Sequence, residues 1–187
     1  MEMIIIGGSA GSFSIILSIL KGLDKKVQTP IVVILHRLKN VDSSLEKHLQ
    51  LHSHYKVKEA EDKEIVKKGH LYTVPANYHL LLEENRHLSL DSSELINYSR
   101  PSIDVTFESF STVLKEKCSG ILLSGSNHDG ARGLKLIAEN GGKSIVQDCN
   151  EAEFDVMPKA AIRIYEHHKV LTLNNIIKNL NEESYGY

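Results

Sequence analysis

The stretch Met3-Ile4-Ile5-Ile6-Gly7-Gly8-Ser9-Ala10-Gly11-Ser12 decides how the chain folds. Its first four residues are apolar and mostly β-branched, the composition of a short strand buried on both faces of a parallel sheet. Beyond the glycine-rich turn, Phe13, Ile16, Leu17 and Leu20 recur at helical spacing and predict an amphipathic helix with those four on its inner face. Ser9 therefore stands where a buried strand exits into a helix, beside the unpaired N–H groups of the helix start. A side chain there suits either a nucleophile or a phosphate cradle.

Strand and helix go on alternating outward from this turn. Ile31 to Leu35 reads as a second buried strand ending at His36, and a helix carrying Val41, Leu45, His48 and Leu49 follows, capped near Asp42 or Ser43. Between residues 56 and 90, Val57, Leu71–Val74, His79–Leu82 and His87–Leu90 are short strand candidates, with turns at Gly69, Pro75-Ala76-Asn77 and Glu84-Asn85. They predict a β-hairpin region inserted between sheet strands. Arg100-Pro101-Ser102 opens a helix with Ile103, Phe107, Phe110 and Leu114 on one face. Ile121 to Leu123 is a further strand, running into Ser124-Gly125-Ser126-Asn127-His128-Asp129-Gly130. A helix through Leu134, Ile137 and Ala138 stops at Gly141-Gly142, and Lys143 to Gln147 is a strand. Pro158 opens a short helix, Val170-Leu171 is a last strand, and Asn174 caps a C-terminal helix to about Leu180. The fold class is α/β: a doubly wound, mainly parallel sheet with helices on both faces, binding ligands beyond the strands' C-terminal ends.

Three polar residues occupy equivalent strand ends: Ser9, His36 and, in the loop after residues 121–123, Asp129. In a parallel sheet these ends share one edge, so the three have the makings of a hydrolytic triad. Taken singly, each has a plainer reading: a tight glycine turn, a histidine closing a strand, and an Asp-Gly turn. Two rival motifs fail. Gly7-Gly8-Ser9-Ala10-Gly11 fits G-x-S-x-G, but in the α/β-hydrolases that elbow lies well inside the chain and the triad order is Ser, Asp, His. The dinucleotide fingerprint lacks its third glycine, because Ser12 stands there, and the second strand ends in His36 rather than an acid.

The 187 residues are read as one domain, residues 1–187, and the net charge of −2 is spread without a basic stripe that would mark a nucleic-acid surface. The apolar start is too short for a signal sequence or membrane span, and the two cysteines belong to no metal or redox motif. A cytoplasmic setting is expected. Among ten histidines, His52, His54, His167 and His168 are assigned to solvated surface rather than to a metal. Glu59, Glu61 and Asp62 read as a solvated loop. Arg100 is a candidate for binding an acidic substrate, or for fixing its helix start by pairing with an acid.

These motifs together resemble the catalytic domain of the chemotaxis protein-glutamate methylesterases, the CheB family. The resemblance rests on Ile6–Gly11, Leu35-His36, Val57–Asp62, Gly69–His79, Arg100–Val105, Leu123–Ala131, Gln147-Asp148 and Met157–Ala161. It implies hydrolysis of glutamyl methyl esters on chemoreceptors or related signalling proteins, in some members with deamidation of glutamines. The triad would fall on Ser9, His36 and Asp129, the oxyanion pocket on Ala10 and Ser126, and no metal or organic cofactor is implied. The chain departs from the family pattern in having Ser126 where Met is usual, Ala10 where Thr is frequent and Val156 where Gly is usual. The receiver domain that usually precedes the catalytic domain is expected to be absent. The changed loop also admits a catalytically weak or inactive domain that binds a receptor or signalling partner.

Overall fold

A computed structural model describes residues 2–36 and 44–185. The strands are β1 (Met3–Gly8), β2 (Ile31–Leu35), β3 (Lys56–Glu59), β4 (His70–Thr73), β5 (His79–Leu82), β6 (Leu88–Asp91), β7 (Cys118–Leu122), β8 (Lys143–Gln147) and β9 (Lys169–Leu171). The helices are α1 (Phe13–Gly22), α2 (Leu45–Leu51), α3 (Ile103–Leu114), α4 (Ala131–Glu139), α5 (Val156–Ile164) and α6 (Leu173–Tyr185). Seven strands form one sheet in the order β3-β4-β2-β1-β7-β8-β9, all pairs parallel.

Side chains on a strand alternate between faces, and β1 shows how both faces become core. Met3 and Ile5 join a cluster with Phe107, Phe110, Leu134 and Met157 from α3, α4 and α5. Ile4 and Ile6 join the opposite cluster with Ile16, Ile19, Leu49, Ile176 and Leu180 from α1, α2 and α6. The chain starts mid-sheet, winds outward through β2, then returns on the other side of β1 at β7. That reversal makes the crevice at the C-terminal ends of β1 and β7 a topological switch point, where open α/β sheets bind ligands.

Several expectations shift. Only β5 and β6 form the antiparallel hairpin, whereas β3 and β4 extend the main sheet in parallel. A four-residue edge strand looks the same in sequence either way, and residues 60–69 lack the crossover helix that usually announces parallel neighbours. In α1 the inward residues are Ile16, Ile19 and Leu20. Phe13, at the helix start, is 37% exposed and sets its ring edge-on to His48. Ser44 takes the N-cap position of α2; Val41, Asp42 and Ser43 lie outside the described residues. Helix α5 begins at Val156, before Pro158, and α6 begins at Leu173 and reaches Tyr185. Among the described residues, no helix is long and apolar enough to cross a membrane.

His168 is not surface. It is buried, its Nδ1 lies 2.8 Å from Ser144 Oγ, and its Nε2 has no partner among the described residues. Burial pushes its pKa from 6.5 down to about 4. The unfolded chain therefore binds a proton that the folded one refuses between those values, so the stabilisation is complete above pH 6.5 and is lost as pH falls toward 4. Urea unfolding should show the wild type losing about 2–3 kcal/mol more than His168→Asn across that window. Parallel pH curves for the two proteins would contradict this.

Candidate active site

The β1–β2 ladder ends with Gly8 opposite Leu35, so Ser9 and His36 are each the next residue along adjacent strands. The turn at Ser9 is held from both sides. Its N–H donates to Ser124 O at 2.9 Å, and its carbonyl accepts from Ser12 Oγ at 2.6 Å and Ser12 N at 3.1 Å. Glycine is required here because a Cβ on Gly8 would sit 2.5 Å from Ser12 Oγ. Gly11 takes φ +76°, a conformation that L side chains rarely adopt. Ser124 locks the neighbouring loops: its Oγ donates to Ala10 O at 2.8 Å and accepts from Phe154 N at 3.0 Å.

Asp129 is fully buried at the N-terminus of α3. Its Oδ2 accepts from His36 Nε2 at 2.8 Å and Ile103 N at 2.7 Å. Its Oδ1 accepts from Ser102 Oγ at 2.8 Å, Asn97 Nδ2 at 3.0 Å and Asp104 N at 3.2 Å. Burial alone would raise its pKa, but the bonds from His36, Asn97, Ile103 and Ser102 together hold the carboxyl below its ordinary value. It therefore stays ionised against the positive end of a helix dipole. Beside it, Asp104 accepts from Gly133 N at 2.7 Å and from the same Asn97 amide at 2.9 Å. Burial, aided by the charge of Asp129, pushes Asp104 upward.

An ionised carboxylate only accepts, so His36 carries its proton on Nε2 and offers a lone pair at Nδ1. The imidazole is half-buried, with 14% of the side chain exposed. Asn127 Nδ2 lies 3.3 Å from that Nδ1. Ser9, half-buried, makes no side-chain hydrogen bond among the described residues. His36 and Asp129 are thus joined, and Ser9 lies beside them without a bond to the imidazole. Among the described residues, no protein acceptor takes the N–H of Ala10, Gly11, Ser126 or Asn127, which leaves donors on both sides of the cleft. Ser126 is exposed.

Arg100 is bonded within the loops that precede α3. Its guanidinium donates to Asn77 Oδ1 from Nε at 3.3 Å and Nη2 at 2.7 Å, and from Nη1 to the carbonyls of Ser92 and Ser93. It ties the loop before α3 to the turn before β5. Among the described residues, the acid suggested at the helix start is not one of these acceptors. Among the described residues, no group of three metal-ligating side chains is present.

Sequence reasoning missed Asn97, Ser102 and Asp104 as partners of Asp129, and Asn127 as a partner of His36. Ser102 had a signal in its place just before a helical run, where a hydroxyl caps. Asn97 had none, since it sits in an irregular loop with φ +52°.

The chain is similar to known proteins over nearly its whole length. The family described as CheB methylesterase matches residues 4–180. A protein of Leptospira interrogans (serogroup Icterohaemorrhagiae serovar copenhageni, strain Fiocruz L1-130), named putative protein-glutamate methylesterase/protein-glutamine glutaminase, is 43% identical over 94% of this chain and 91% of its own length. The protein-glutamate methylesterase FrzG of Myxococcus xanthus is 30% identical over 93% of this chain, which spans 52% of that protein. The crystal structure of the Thermotoga maritima CheB methylesterase catalytic domain superposes with a TM-score of 0.91 at 33% identity, covering 97% of this chain and 98% of that one. With its sheet order, its strand-end His–Asp pair and this likeness across nearly its whole length, the chain belongs to the CheB methylesterase family.

Proposed function

We propose that the chain hydrolyses methyl esters of glutamyl side chains on a chemoreceptor or related signalling protein in the cytoplasm, and deamidates glutamine side chains by the same route. The observation that carries this reading is the 2.8 Å bond from His36 Nε2 to buried Asp129, one strand over from Ser9 in the exposed crevice. Ser9 Oγ attacks the ester carbonyl while His36 Nδ1 takes its proton, and Asp129 stabilises the imidazolium. The N–H groups of Ala10 and Ser126 face the developing oxyanion from the two loops. His36 returns the proton to departing methanol, leaving glutamyl bound to Ser9 through an ester. Water deprotonated by the same imidazole then releases the glutamate. For a glutamine the leaving group is ammonia.

One observation favours a second reading, a catalytically weak or inactive domain that binds a receptor or signalling partner: among the described residues Ser9 makes no bond to the imidazole, and Asn127 stands at the nitrogen it needs. Purified protein mixed with a methylated receptor fragment should release methanol, and a fluorophosphonate should label Ser9 stoichiometrically. No methanol and no label would support the second reading.

A further inference from the structure

Asn127 takes part in a closed ring of three hydrogen bonds. The Asp129 N–H donates to Asn127 Oδ1 at 3.0 Å, which fixes the carboxamide's orientation, because an N–H needs an oxygen opposite it. The NH2 end then faces His36 Nδ1 at 3.3 Å, and His36 closes the ring through Nε2 to Asp129 Oδ2 at 2.8 Å. Every donor and acceptor role in the ring follows from the backbone N–H at one end and the buried carboxylate at the other. An imidazole nitrogen has one in-plane lone pair, so it accepts one well-directed hydrogen bond at a time. The atom that must receive the Ser9 proton is therefore already occupied.

We propose that Asn127 is a positioning residue that holds His36 in a capped resting state, and that Ser9 must displace its amide before the base can act. This rests on the serine-esterase reading for its effect on rate, though not for its effect on the imidazole. The 3.3 Å separation marks a weak bond, one that a substrate ordering the cleft can displace. The cap costs rate by the free energy of one modest neutral hydrogen bond, roughly two- to tenfold.

The test compares fluorophosphonate labelling of wild type, Asn127→Ala and Asn127→Asp, together with the 15N resonances of the His36 ring. Asn127→Ala removes the cap, so labelling should accelerate roughly two- to tenfold. Asn127→Asp keeps an oxygen for the Asp129 N–H but turns the other arm into an acceptor. A carboxylate beside Nδ1 keeps a proton there, and labelling should fall below wild type. The Nδ1 resonance of Asn127→Ala should move toward that of an unbonded, unprotonated nitrogen, with the unfolding midpoint lowered modestly because the Asp129 N–H loses its acceptor. Labelling of Asn127→Ala that is equal to or slower than wild type would overturn the proposal. So would an unmoved Nδ1 resonance. If wild type and both variants stay unlabelled, the esterase reading fails, and the resonance still decides whether Asn127 caps the imidazole.

Discussion

Ser9→Ala should lower methanol release from a methylated receptor by about 10⁴-fold or more while leaving the urea midpoint unmoved. The two halves of this expectation have separate causes. The bonds that shape the turn run through the backbone of residue 9: its N–H to Ser124 O and its carbonyl to Ser12. Alanine keeps both. The hydroxyl makes no side-chain hydrogen bond among the described residues, so its loss leaves no buried partner unsatisfied. The covalent intermediate, by contrast, cannot form without it, and residual catalysis is limited to oxyanion stabilisation and binding. Equal methanol release from variant and wild type would remove Ser9 from the mechanism.

Asp129→Ala should behave differently, losing a similar factor in rate and about 3–5 kcal/mol of folding stability as well. Five donors converge on this carboxylate: His36 Nε2, Asn97 Nδ2, Ser102 Oγ and the N–H groups of Ile103 and Asp104. Removing it strands buried donors at the first turn of α3. Asparagine is no gentle replacement, because either orientation of its amide turns an NH2 toward a backbone N–H. The wild-type carboxyl is held below its usual 3.8 in spite of burial, chiefly by the bonds from His36 and Asn97. Its stabilisation is therefore full above pH 3.8 and is lost only as pH falls through the lower folded value, beneath the window assigned to His168. Urea unfolding at neutral pH measures the stability loss directly. A variant as stable as wild type would contradict the account of α3.

Much of this was legible in the sequence because periodicity and strand-end position are local signals. The run Met3–Ile6, the strand Ile31–Leu35 and the strand Lys143–Gln147 lie where their apolar patterns predict. Ser9, His36 and Asp129 are brought to one edge because a parallel sheet aligns its strand ends, so chain position alone implied their proximity. What stayed hidden depends on contacts between distant residues. Whether β3 and β4 turn back as a hairpin or pair in parallel is decided by neighbours rather than by four residues of pattern. His168 looked like solvated surface because burial beside Ser144 depends on β8 and β9 pairing. The amide of Asn127 could be seen in the chain, but its aim at His36 follows from the shape of a loop.

The seat of Asp129 at the head of α3 also orders how this fold can lose its chemistry over evolutionary time. A lineage released from selection for hydrolysis can replace Ser9 at almost no structural cost. It cannot replace Asp129 so freely, because the same oxygens anchor Ser102, Ile103 and Asp104. Descendants that have become pure binding proteins should therefore keep the aspartate long after the serine has drifted. A conserved Asp beside a lost Ser would mark a retired enzyme of this family.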